Sequence, residues 1–195
     1  LPVNFISDFA DQAVMLPLAL AVGMALLAQG WRRGAAAWGM AIVCTFATML
    51  VLKVLFLACS SSFGTADIRT PSGHVAAATV ITGGLAALLL RRRASVLSLA
   101  GLAAVLIGIS RLVLGVHSFP EVVLGACVGL GGAWGLMLLA GRPPVSINGA
   151  RIAMIAGVVL AIFHGMHLPA EAHIRSTASR LAHLLSVCQS EEVPR

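Results

Sequence analysis

Pro71-Ser72-Gly73-His74-Val75-Ala76-Ala77-Ala78-Thr79-Val80-Ile81-Thr82-Gly83-Gly84-Leu85-Ala86-Ala87-Leu88-Leu89-Leu90-Arg91-Arg92-Arg93 is the stretch that sets the architecture. It opens on a small polar turn, runs through positions 75–90 without a charge, and stops on three arginines. A helix rising about 1.5 Å per residue needs about 20 residues to cross a hydrocarbon core roughly 30 Å thick. The pattern is therefore that of a membrane helix with a polar mouth and a basic stop. Six such stretches run along the chain, at about 12–30, 35–58, 72–90, 95–115, 120–140 and 152–168. The last is short and carries His164 and His167 near its end. The expected fold is all-α, a polytopic bundle of six transmembrane helices in one domain over residues 1–195, with no internal repeat.

Composition points the same way. Of the 195 residues 59% are hydrophobic and 10% charged, and the mean hydropathy is +0.98. Soluble domains carry about 25% charged residues, so this chain lacks the polar surface to cover a water-facing globule. The net charge of +6 does not indicate nucleic acid, because the basic residues cluster between apolar runs and only 5% of residues are aromatic. Cys44, Cys59, Cys127 and Cys188 form no C-x-x-C pair and read as small buried apolar side chains, with a Cys59–Cys188 disulfide as the alternative for that pair. Residues 1–11 carry Asp8 and Asp11 and no basic residue, so no secretory signal is expected there.

Orientation follows from the connections. Gly30-Trp31-Arg32-Arg33-Gly34, Arg91-Arg92-Arg93 and the segment from Gly141-Arg142-Pro143-Pro144 to Arg151 all fall on one side and contain no acidic residue. The positive-inside rule places that side in the cytoplasm. The other side receives the N-terminus, the 59–71 loop, the 115–120 turn and the tail. For a bacterial chain this puts that face in the periplasm, with the protein in the inner membrane. Residues 170–189 space their apolar positions as an amphipathic helix, lying on the membrane surface or against the bundle.

Two stretches carry the chemistry, Arg69-Thr70-Pro71-Ser72-Gly73-His74 and Ser110-Arg111 followed by His117 and Glu121. Alternating spans bring both to the outer face, together with Lys53. Lys53 and Arg111 fall within apolar runs, where a charge marks either a functional site or a side chain snorkelling to the interface. Pro71 suits a helix start, and the backbone N–H groups of Ser72 and Gly73 are then available to an anion at the helix N-terminus. Lys53, Arg69 and Arg111 place three cations around such an anion, with arginine suited to bidentate pairing with phosphate oxygens. His117 sits in a turn between Gly115 and Pro120. Glu121, in the first turn of the next helix, is placed to fix one ring nitrogen and leave the other free to attack. His74 is left as the general acid for the leaving oxygen.

These residues resemble the type 2 phosphatidic acid phosphatase superfamily, whose motifs are K-x6-R-P, P-S-G-H and S-R-x5-H-x3-D. The second is intact as Pro71-Ser72-Gly73-His74, and the third is present as Ser110-Arg111, His117 and position 121. The likeness covers roughly residues 35–140. It implies that His117 forms a phosphohistidine, that His74 is the acid, and that Lys53, Ser72, Gly73 and Arg111 hold the phosphate, with no metal and no cofactor. Two departures stand out. The family's Arg-Pro is replaced by Ser60-Ser61, for which Arg69 is the expected substitute, and Glu121 takes the place of Asp.

The function expected is hydrolysis of a phosphate or pyrophosphate group from a membrane lipid, without nucleic acid as a partner. The alternatives are a lipid phosphotransferase using the same residues and a catalytically weak lipid-binding relative. His164 and His167, three apart, read as structural rather than metal-chelating. Asp67 reads either as a partner of Arg69 or as a plain loop acid. Gly125-x3-Gly129 and Gly131-x3-Gly135 suit close packing within the chain, with a homodimer as the alternative.

Overall fold

The computed structural model describes residues 2–58, 70–90 and 93–168, with positions 176, 177 and 180 beyond them. Arg69, Asp67, Cys59, Cys188 and all but three positions of the amphipathic tail lie outside the described residues. All regular structure among the described residues is helical: α1 (Pro2–Asp8), α2 (Gln12–Ala28), α3 (Arg32–Ala58), α4 (Gly73–Leu89), α5 (Arg93–Val113), α6 (Phe119–Ala140) and α7 (Gly149–Phe163). Local signals explain several boundaries. Asp11 caps α2 by accepting the Ala13 N–H at 2.8 Å. Asn148 does the same for α7 from the Arg151 N–H at 3.0 Å.

Among the described residues, four stretches are long and apolar enough to cross a membrane: Val3–Ala28, Arg32–Leu57, Ala94–Val113 and Phe119–Ala140. The first is longer at its start than the sequence suggested, because α1 adds its own apolar turns ahead of α2. α4 and α7 have 17 and 15 residues, or about 25 and 22 Å of helix. The six expected spans thus comprise four helices of spanning length and two shorter apolar ones. Large apolar side chains such as Leu20, Val43, Val51, Val105 and Leu138 are exposed on the flanks. Apolar exposure distributed in this way is foreign to a water-soluble monomer and marks a membrane protein. Cys44 and Cys127 are free thiols on the same exterior, not buried as the sequence suggested.

Contacts between distant residues define two ends of the bundle. At one, the Asn148 N–H donates to Gln29 Oε1 at 2.7 Å and Arg33 Nε donates to the Leu139 carbonyl at 2.8 Å. That end gathers Arg32, Arg33, Arg142 and Arg151. At the other meet the end of α3, the start of α4, the end of α5 and the start of α6, which carry the motif residues.

α4 is the central helix, buried over most of its length and packed most extensively on α6 and α5. Close approach depends on glycine at three positions of α6, one of them Gly132, where a Cβ would collide with the Thr45 hydroxyl of α3. A Cβ on Gly125 would collide with the Ser72 carbonyl, and one on Gly129 would lie 2.6 Å from Thr79 Cβ. The first glycine pair therefore serves packing within the chain. Gly131 and Gly135 would meet nothing, so the second pair has no such role.

Candidate active site

Glu121 organises the site. It is the third residue of α6, whose N-cap is Ser118, and it is 4% exposed. Its Oε2 reaches back to the Ser118 N–H at 3.0 Å, as in a capping box, and pairs with His117 Nδ1 at 2.8 Å. Its Oε1 accepts the Thr70 N–H at 2.7 Å, and its backbone carbonyl accepts the Ser72 N–H at 3.0 Å. One residue thus orients the histidine and fastens the loop before α4 to the start of α6. An ionised carboxylate only accepts, so the proton of His117 lies on Nδ1 and the lone pair on Nε2.

The second motif differs in detail from its sequence reading. α4 begins at Gly73 with Ser72 as N-cap, so Pro71 precedes the helix instead of opening it. The Ser72 amide is taken by the Glu121 carbonyl and is not available to an anion. The Ser72 hydroxyl is: it makes no side-chain cap, is fully buried, and has no hydrogen-bond partner among the described residues. The first-turn N–H groups of α4 lie beside it and lack intrahelical acceptors.

Lys53, 4% exposed near the end of α3, comes to this helix start as expected. A Cβ on Gly73 would lie 3.8 Å from Lys53 Nζ, so glycine leaves the ammonium room beside the backbone. The charges of Lys53 and Arg111 both bear on the His117 ring. His117 lies in the turn between α5 and α6. Burial pushes its imidazole below the ordinary 6.5, with the Glu121 hydrogen bond and charge pulling back upward. It is therefore held neutral, with Nε2 unprotonated.

Sequence reasoning missed two participants. Ser7, from α1, accepts a hydrogen bond from Arg111 Nη1 at 2.9 Å. The Asp11 carboxylate lies 3.8 Å from His74 Nε2. Neither has a spacing signal, since each partner comes from a different helix. His164 and His167 do not share a helix face, because α7 ends at Phe163. The His164 ring packs on Phe5 and Phe9, with centroids 4.4 and 4.3 Å away. His167 pairs with Asp8 and Asp11 at 3.8 and 3.5 Å.

The Gly125 contact makes a prediction. Gly125→Ala should push the Ser72 carbonyl away from α6 and loosen the Thr70 and Ser72 bonds to Glu121. A misplacement of about 1 Å costs about a hundredfold in rate, so kcat for any reaction at this site should fall by about that factor while the protein still elutes as a folded species. An unchanged kcat would show that the junction tolerates the shift.

Comparison with known proteins agrees with the motifs. The family model of the PAP2 superfamily matches residues 12–143. An uncharacterised 22.5 kDa protein in the cps region of Klebsiella pneumoniae is 30% identical over 193 residues, covering 93% of this chain and 92% of its own. No solved structure matches.

Proposed function

Because the chain belongs to the PAP2 superfamily, we propose that it is a membrane phosphatase that removes a phosphate or pyrophosphate group from a lipid. The observation that carries this is the His117–Glu121 pair, fastened through Thr70 and Ser72 to the helix that bears His74. In the reaction, His117 Nε2 attacks phosphorus and the P–N bond forms as the ester P–O bond breaks. The leaving oxygen takes its proton from His74. Water then attacks the phosphohistidine, giving a proton to His74, and inorganic phosphate departs as the P–N bond breaks. Lys53, Arg111, the Ser72 hydroxyl and the Gly73 end of α4 hold the phosphate oxygens, with Arg69 as a third cation. This basic donor set suits an anion better than a divalent metal.

A lipid is favoured by what lies beneath the site. An apolar cavity of about 330 Å³ is lined by Met15, Ala78, Ile107, Leu85 and Leu102, among others. Ala78 lies one turn along α4 from His74, Ile107 one turn before Arg111 on α5, and Met15 one turn after Asp11 on α2. A phosphate held by the site would send its hydrocarbon chain into this space. The arginines at the opposite end, with α4 and α7 read as two further crossings, favour a site facing the periplasm from the inner membrane.

The test is phosphate release in detergent across lipid phosphates and pyrophosphates of increasing chain length. Ala78→Phe should lower kcat/KM for long-chain substrates about tenfold relative to short ones. Equal activity on every chain length in both proteins would remove the cavity from the substrate path, and no release from any of them would sink the phosphatase reading.

A further inference from the structure

The family match spans residues 12–143, yet two contacts to the motif residues come from just before it, Ser7 to Arg111 and Asp11 to His74. We propose that the corner at residues 7–11 is a built part of the catalytic layer, in which Asp11 positions His74 as the leaving-group acid and Ser7 positions Arg111 on the phosphate. This rests on the phosphatase reading above.

The two oxygens of Asp11 have separate tasks. Oδ1 accepts the Ala13 N–H at 2.8 Å and the Leu168 N–H at 3.2 Å, which fixes the carboxylate between the start of α2 and the segment after α7. Oδ2 is turned instead to two imidazoles, His74 at 3.8 Å and His167 at 3.5 Å. Capping alone needs one oxygen and no burial, whereas Asp11 is 7% exposed. His167, on the exposed side, also reaches Asp8 at 3.8 Å and so clasps the corner from outside.

The charge pattern around His74 gives the carboxylate its role. Arg111 from α5, Lys53 from α3 and His117 from the α5–α6 turn lie within electrostatic reach of the ring, and Asp11 lies 3.8 Å from its Nε2. Asp11 is the one acid in that set among the described residues. Cations that bind phosphate repel an imidazolium, and the acid must carry its proton when the ester breaks. A fixed carboxylate attracts the imidazolium and holds its ring in place. Ser7, 4% exposed, fixes one arm of the Arg111 fork by accepting from Nη1.

An acid matters in proportion to the basicity of the leaving oxygen: an alkoxide needs the proton, whereas nitrophenolate departs without it. The full chain in detergent is therefore assayed on decyl phosphate and on p-nitrophenyl phosphate. Asp11→Asn keeps a carbonyl oxygen for the α2 cap and removes the charge. Its kcat on decyl phosphate should fall about tenfold further than on p-nitrophenyl phosphate. Asp11→Ser, which caps but does not reach His74, should show the same ratio. Ser7→Ala should instead raise KM on both substrates about equally, with kcat less affected. Equal losses on both substrates in the two Asp11 variants would overturn the role given to Asp11, and an unchanged KM in Ser7→Ala would overturn that of Ser7. A wild-type protein silent on both substrates would overturn this inference together with the phosphatase reading, whereas an active wild type with equal losses would overturn this inference alone.

Discussion

Replacing His117 with alanine is expected to lower phosphate release by at least about 10⁴-fold, to the limit of detection in a detergent assay. The proposed mechanism has no second route to the intermediate, because the phosphoryl group passes through Nε2 of this ring. His117 sits in a turn and contributes its packing through the Glu121 contact, so the bundle itself does not depend on it. Rapid quench of the wild type should capture an acid-labile phosphoryl adduct that His117→Ala lacks. Release that survives the substitution would remove His117 as the nucleophile.

Glu121→Gln is expected to cost about 10⁴-fold in kcat, as in other sites where an amide replaces the carboxylate that fixes a histidine tautomer. The amide matches the shape of the carboxylate but offers one acceptor where three donors converge: His117 Nδ1–H and the N–H groups of Ser118 and Thr70. At least one donor loses its partner in a buried place, and the ring is free to take the wrong tautomer. The pH dependence gives the substitution a signature. In the wild type, burial holds His117 below the ordinary 6.5 and Glu121 partly restores it. Activity requires the neutral ring, so it falls as pH drops through that lowered value. Removing the carboxylate lowers the value further, and the acid limb should move to lower pH even as the plateau rate collapses. A limb that stays in place would mean that Glu121 does not titrate His117.

The meeting of the motif residues at one end of the bundle was legible because they sit at fixed spacings within continuous motifs. Pro71-Ser72-Gly73-His74 and Ser110-Arg111 with His117 and position 121 need only alternating helices to meet, and Lys53 joins them from the end of α3. What escaped was pairing across the fold. Arg111 and Ser7 are 104 positions apart, and a seven-residue helix is too short to show a periodicity that would tie it to the site. The end of α7 was misread because the apolar run continues past Phe163, although Gly165 at φ 81° marks the break. The Ser72 amide was assigned to an anion because sequence does not reveal that a helix start already has an acceptor waiting in another helix.

The departure from Asp to Glu also has a structural reading. With its carbonyl on Ser72 and its carboxylate divided between Thr70 and His117, Glu121 bridges the two motifs through one residue. Its extra methylene provides reach for both tasks.

That bridge sets an order of assembly during synthesis. Thr70 emerges from the ribosome 51 residues ahead of the carboxylate that accepts its N–H. Until α6 enters the membrane beside α4, the loop amides at Thr70 and Ser72 must be served by water. The loop therefore stays at the wet boundary while the apolar helices find one another, and the proposed phosphate site closes only as α6 docks. A nascent chain that stops before α6 carries the Ser-Gly-His signature without an enzyme around it.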